Sequence, residues 1–270
     1  MKKKRKLKKS VKIIIGVVAL ILIASYLKGP SESNVAFTPV GDTTKYVEEF
    51  QKRAKDDERY NNVIQNIESY PEDVIKLLYS NGETLDFVLS KDNFKKPAFL
   101  INIDEDCGDG KIPRLQQWDP KWGWREYGNN VIAINGCGPT ALSMVVSGLT
   151  GDKDITPIKI AKYSDKHGFH EAAGTNWNLM VEGARKYGVK GWAIDNTKSS
   201  FESALKNGNP VICSMGPGNF TSEGHFIVIA GIKDGKLVIH DPNNIARSEK
   251  LWNYNDIKLQ IKAAWAYSLD

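Results

Sequence analysis

Residues 135–147 read NGCGPTALSMVVS. A cysteine stands between two glycines, a proline follows, and an apolar run at helical spacing begins. Gly136 and Gly138 remove side-chain bulk on both sides of Cys137, which permits a tight entry and close approach by another backbone. Pro139 fits a first helical turn, where its missing N–H would have no partner in any case. The stretch predicts a helix over 137–148 with the thiol at its N-terminus. There the unpaired N–H groups and the helix dipole favour a thiolate. The bland alternative is a buried apolar cysteine at a helix start, and this segment alone does not separate the two.

A thiolate nucleophile wants a histidine within reach and a third group to fix the ring. His167 and His170, in DKHGFHE, read as solvated loop residues. His225 opens the run HFIVIAGI, and His240 and Asp241 close KLVIHD, with a Gly-Ile-Lys-Asp-Gly hairpin between the runs. A strand start and the end of its hairpin partner lie at one edge, so His225 and Asp241 are expected to be close. By alternation only one of His240 and Asp241 can share that cleft.

Working outward, strands are expected at 210–215, 225–232, 236–241 and 261–269, and helices at 154–164, 175–187 and 199–206. Helices first and strands later is the order of an α+β fold. Upstream, residues 43–99 form a small helical region without a convincing catalytic group, and its expected role is packing or orientation. In it Pro71 fits a first helical position ahead of a Val74, Leu77, Leu78 stripe. Residues 100–111, LINIDEDCGDGK, read as an acidic linker. Asp104, Asp106 and Asp109 lack the EF-hand spacing and its closing glutamate. The compact body is expected over 112–270. Its glycine-bearing segment MGPGNFTSEG, 215–224, reads as a mobile or tightly turned loop that gates His225.

The chain's 37 Lys and Arg against 32 Asp and Glu give a formal charge of +5, but eight of those cations lie in residues 1–12, which hold no acid. The other 258 residues therefore carry −3. A mildly acidic body lacks the basic face that nucleic-acid binding needs. The basic head abuts IIIGVVALILIASYL, and 13–28 is expected to be a transmembrane signal anchor, followed by a linker over 29–42. On that reading the lipid membrane is a partner and the C-terminal domain is extracellular, or secreted if the segment is cleaved. Three cysteines are an odd number. Cys107 and Cys213 either pair, leaving Cys137 free, or Cys213 is a buried strand residue and Cys107 a loop residue. No Cys/His spacing suits zinc, and neither a cofactor nor a metal is called for.

GCGPTALSMVVSG, the GHFIVIAGI strand and the HDPN turn together resemble the C39-like peptidase family of papain-like cysteine peptidases. The segment IPRLQQWDPKWG is similar to that family's opening. The resemblance covers about residues 112–269 and implies a papain-like fold, with a catalytic helix packed on an antiparallel sheet. It implies Cys137 as nucleophile, His225 as general base and acid, Asp241 as the residue orienting the histidine, and Gln117 in the oxyanion hole, with Gln116 beside it. Trp118, Trp122, Trp124 and Tyr127 either line the substrate cleft or pack in the core. No Walker motif or transporter region accompanies the domain. The implied activity is hydrolysis of an amide bond in a peptide, with a cell-wall peptide as the rival substrate. Acyl transfer to an amine and a non-catalytic binding domain are the rival functions. Oligomeric state is not legible.

Overall fold

The structure is a computed structural model that describes residues 40–93, 96–106, 112–171 and 174–270. Among the described residues four short helices come first: α1 (Thr44–Arg53), α2 (Tyr60–Gln65), α3 (Glu72–Ser80) and α4 (Leu85–Leu89). Pro71 is the residue before α3, extended at ψ 142°, and not its first helical residue. Each helix turns one apolar face inward, so Phe50, Val63, Val74, Ile75, Leu78, Phe87 and Val88 are fully buried together. The same cluster contains Trp118, Trp124, Val131 and Ala133 from the following domain. The helical region therefore shares its core with the body and is not a bead on a linker.

The body begins with a two-stranded ribbon, β1 (Glu126–Tyr127) and β2 (Asn130–Val131), then α5 (Ile132–Asn135) and α6 (Cys137–Thr150). Next come α7 (Pro157–Lys166), a second ribbon of β3 (His170–Glu171) and β4 (Gly174–Thr175), and a π turn, Leu179–Gly183, before β5 (Val189–Ala193). Helix α8 (Lys198–Lys206) precedes β6 (Val211–Met215), β7 (His225–Lys233) and β8 (Lys236–His240). Helix α9 (Ile245–Glu249), β9 (Leu251–Trp252) and β10 (Ile261–Leu269) complete the chain. The strands form one antiparallel sheet in the order β5-β10-β6-β7-β8-β9.

Alternation explains the layers. On β6 and β7, Ile212, Phe226 and Val228 face the core under α6, whereas Val211, Cys213, Ile227 and Ile229 face the core with Phe201 of α8. Helix α6 is buried all round over residues 138–147, as an apolar central helix should be. It packs on β7 and on α7. Ser143 and Ser147 avoid an unmet polar cost by donating to the carbonyls of Ile155 and Ser143, each at 2.6 Å.

The α+β architecture, with a helix packed over an antiparallel sheet, is the one expected. The transmembrane helix expected ahead of it is corrected: among the described residues no helix is long and apolar enough to cross a membrane. The segment 13–28 on which it was placed lies outside the described residues. The lipid-membrane partner, the signal anchor and the single-pass localisation rested on that helix and are corrected with it.

Other differences have local causes. The helix expected from 154 starts at Pro157, because Thr156 caps it by accepting from the Lys159 N–H. The helix expected over 175–187 gives its first residues to β4 and its middle to the π turn. In the acidic stretch, Ile101 and Ile103 are buried in the core around α6, and Asp106 pairs with Lys121 at 2.6 Å. Cys213 is a free, fully buried strand residue, whereas Cys107 and Asp109 lie outside the described residues.

Candidate active site

Cys137 is the first residue of α6 and partly exposed. Its flanking glycines are required by packing. A Cβ on Gly136 would lie 2.4 Å from the Ile132 carbonyl oxygen, and one on Gly138 would lie 2.7 Å from Thr175 Oγ1 on β4. The turn before α6 thus has its shape because two neighbours press against backbone, which is a stronger constraint than room for a ligand.

His225 begins β7, the strand under α6, and its imidazole lies close enough to the Cys137 thiol for each to shift the other's titration. Its Nε2 faces Asp241 Oδ1 at 2.7 Å, which leaves Nδ1 for the thiol. Asp241 follows β8 directly and is fully buried. The β7–β8 hairpin closes through Asp234 and Gly235, both at positive φ, the geometry of a two-residue Asp-Gly turn. A bulge between Ile229 and Gly231 then shifts the register, so that Val228 pairs with His240. His240 turns to the Pro113 carbonyl at 3.1 Å and takes no part in the site.

Three donors converge on Asp241. Besides His225, the Asn243 N–H donates to Oδ1 at 2.8 Å and Arg247 Nη1 to Oδ2 at 3.0 Å. Burial alone would raise the Asp241 carboxyl, but the charge and hydrogen bond of His225, with Asn243 and Arg247, hold it below the ordinary carboxylate value. Burial would likewise lower His225, and Asp241 and the Cys137 thiol overcome it and raise the imidazole. For Cys137, burial pushes the thiol up. The hydrogen bond and charge of His225, with the Phe226 and Gly138 N–H groups, outweigh it and bring the thiol below its usual value. In all three groups the neighbours favour the charged form against burial.

Gln117 is buried, and its Nε2 donates to the Ala133 carbonyl at 2.7 Å and more distantly to Ile134 at 3.4 Å. It lines a cleft of about 410 Å³ with Ile134, Asn135 and His170 and with Lys76 and Ser80 of α3. Gln116 spends its carbonyl on the Trp122 indole and keeps a buried Oε1 without a partner. His170, expected in a solvated loop, is half-buried against the Tyr127 ring at 4.9 Å. It sits over Gly128, whose φ of +61° and absent Cβ make room for the imidazole. Trp118, Trp122, Trp124 and Tyr127 are all core residues and not cleft lining. Trp124 stacks on Phe87 at 4.7 Å, and the Tyr127 hydroxyl lies 2.9 Å from both Ser164 and Thr175.

The loop at 215–224 is tightly turned. Asn219 N–H donates to Gln260 Oε1 at 2.6 Å, Phe220 is buried against Trp252, and Arg247 Nη1 donates to the Phe220 carbonyl at 2.8 Å. Such fastening is the reverse of a gate. Sequence reasoning missed Arg247, which holds this loop and Asp241 with one guanidinium. Nothing in ARSEK marks it, because its partners come from other elements.

The sequence profile described as the peptidase C39 like family matches residues 110–268, more than half of the chain. The chain belongs to the C39-like peptidase family. Membership classes it as a cysteine peptidase at the family level. Among solved structures it is similar to the peptidase domain of Streptococcus ComA, a bi-functional ABC transporter involved in a quorum-sensing pathway. Identity to that domain is 20%, with 50% of this chain and 93% of that one covered and a TM-score of 0.40. It is also similar to a structure described as a C39-like peptidase from Bacillus anthracis, at 14% identity over 59% of this chain and 95% of that one, with a TM-score of 0.41. No curated protein matches the chain.

Proposed function

We propose that the protein hydrolyses amide bonds in peptides through Cys137, His225 and Asp241, with Gln117 helping to hold the oxyanion. The observation that carries this reading is the 2.7 Å contact of His225 Nε2 with Asp241 Oδ1, on an imidazole whose neighbourhood also lowers the Cys137 thiol. The Cys137 thiolate attacks the substrate carbonyl carbon, and the carbonyl π electrons move onto oxygen. The Cys137 main-chain N–H and the second Nε2 hydrogen of Gln117, the one whose contact to Ile134 is long, stabilise that oxyanion. When the tetrahedral adduct collapses, the C–N bond breaks and the His225 imidazolium gives its proton to the leaving amine. A thioester remains. His225, now neutral, takes a proton from water as the water oxygen attacks the thioester. The C–S bond breaks, the acid leaves, and the thiolate is restored.

Asp241 keeps one tautomer and one ring orientation of His225 through these steps, because its other lone pairs are engaged by Asn243 and Arg247. This reading assigns part of the peptide chain to the cleft lined by Gln117, Ile134 and Asn135 and by Lys76 and Ser80 of α3. The test is incubation of the full chain with a diverse peptide mixture, reading new amino termini by mass spectrometry. Wild type is expected to generate them and Cys137→Ala none. Termini made equally by both proteins, or by neither, overturn the proposal.

A further inference from the structure

The helical region grips the turn that carries Asp241. Glu83, between α3 and α4, accepts the Ile245 N–H on Oε2 at 2.8 Å and the Ala246 N–H on Oε1 at 3.1 Å. These are the first two N–H groups of α9, which otherwise have no helical acceptor. The third, of Arg247, is met by Asn244 Oδ1 at 2.7 Å. Two residues before Glu83, Asn81 Nδ2 donates to the Asn243 carbonyl at 2.7 Å, where the Trp118 indole also donates at 3.0 Å. The clamp spans more than 160 residues of sequence and joins two units that share one core.

What this clamp holds bears on the chemistry. Helix α9 carries Arg247, which donates to Asp241 Oδ2, and Ser248, whose Oγ accepts the Asp241 N–H at 2.9 Å. The Asn243 N–H completes Asp241 Oδ1 beside His225. Among the described residues, the hydrogen bonds of the Asp241 carboxylate besides that of His225 thus come from the segment 243–247, which itself hydrogen-bonds Asn81 and Glu83. The charged groups gathered around the His225 ring are Cys137, Asp241 and, behind Asp241, Arg247; Glu83 stands one layer further out.

We infer that Glu83 is a positioning residue: by binding both leading N–H groups of α9 it fixes Arg247 and Asp241, and so sets how firmly His225 holds the Cys137 thiolate. The helical region is then part of the catalytic apparatus, acting through the Asp241 turn. This rests on the catalytic reading proposed above for Cys137, His225 and Asp241.

The test uses the full chain and measures iodoacetamide alkylation against pH, read at the Cys137 peptide by mass spectrometry. The proteins compared are wild type, Glu83→Ala, Glu83→Gln and Val63→Ala. Val63 is fully buried in the helical core and has no polar side-chain atom with which to hold the turn, so its truncation loosens the helices without removing a hydrogen bond to 243–247. The expected result is an acid limb that rises by about one pH unit in Glu83→Ala. Glu83→Gln, which keeps one acceptor oxygen, shifts less, and Val63→Ala keeps the wild-type limb while melting earlier. A Glu83→Ala profile that superimposes on wild type overturns the inference, as does an equal shift in Val63→Ala. Should Glu83→Ala not fold, an unshifted Glu83→Gln overturns it. A wild-type profile that is ordinary and indifferent to His225→Ala removes the catalytic reading itself, and is distinguishable because no Glu83 variant is needed to see it.

Discussion

The main-chain N–H of Gln117 donates to the carbonyl of Pro242 at 2.7 Å. The glutamine proposed for the oxyanion and the turn behind Asp241 are thereby one hydrogen-bonded unit, although 125 residues separate Trp118 from Asn243, which bond one step further along. A displacement of the turn moves both ends of the proposed machinery, the end that orients His225 and the end that receives the oxyanion.

Gln117→Ala is expected to lower kcat on an amide substrate by about 10²–10³-fold, the usual consequence of losing one oxyanion donor. Alkylation of Cys137 by a small haloacetamide forms no oxyanion and should change little. The contrast between the two rates, measured on the same protein, checks the role. Truncation also leaves the Ala133 carbonyl without its donor, a stability loss of about 1 kcal/mol seen in the urea midpoint.

Asp241→Ala is expected to be costly in a different way. It strips the partner from a buried His225 and from Arg247, and breaking such a pair from one side costs about 3–5 kcal/mol. Asp241→Asn keeps the volume and isolates the charge. The folded Asp241 carboxyl lies below its unfolded value of about 3.9, so its stabilisation is present above that pH and is lost as pH falls through the folded value. Urea titrations of wild type and Asp241→Asn should therefore differ at pH 6 and converge in acid.

His225 has the opposite sign. Its folded value is raised, so its contribution is complete below its unfolded value of about 6.5 and is lost as pH rises through the folded value. The stability difference between wild type and His225→Gln should shrink on the alkaline side, in the same assay that shows Asp241 fading on the acid side.

Gly136→Ala is expected to destabilise by about 1–3 kcal/mol, because the new Cβ meets the Ile132 carbonyl and the backbone has to shift. Gly138→Ala meets Thr175 Oγ1, Cβ and Cγ2 at 2.7–2.8 Å, a stiff β-branched side chain whose Cβ moves only with its strand, and should cost a similar amount. Thermal melts of the two variants compare a backbone obstacle with a side-chain one at neighbouring positions.

The elements that carry the site were legible where their apolar pattern is uninterrupted. PVICSM, HFIVIAGI and KLVIHD became β6, β7 and β8, and the Cys137 segment became α6, because buried runs of this kind have few alternatives. Strand β5, VKGWA, was not expected: a lysine, a glycine and partial exposure hide its pairing with β10. The hairpin argument brought His225 and Asp241 towards each other without knowledge of the bulge that sets their register. Arg247, Glu83 and Asn81 were invisible because their meaning lies in contacts between distant segments, and a lone charged residue in a polar stretch has no period to betray it. The tryptophans stayed open between cleft lining and core because an apolar ring near a reactive cysteine looks the same in sequence whether it faces a ligand or a core; they pack in the core.

The most direct test of the central claim is the pH dependence of Cys137 alkylation in wild type and in His225→Ala, read at the Cys137 peptide. The expected result is fast modification well below the ordinary thiol range near about pH 8.5, lost when His225 is replaced. Slow modification that titrates as an ordinary thiol, unchanged in His225→Ala, would contradict the thiolate–imidazolium pair on which the proposed hydrolysis depends.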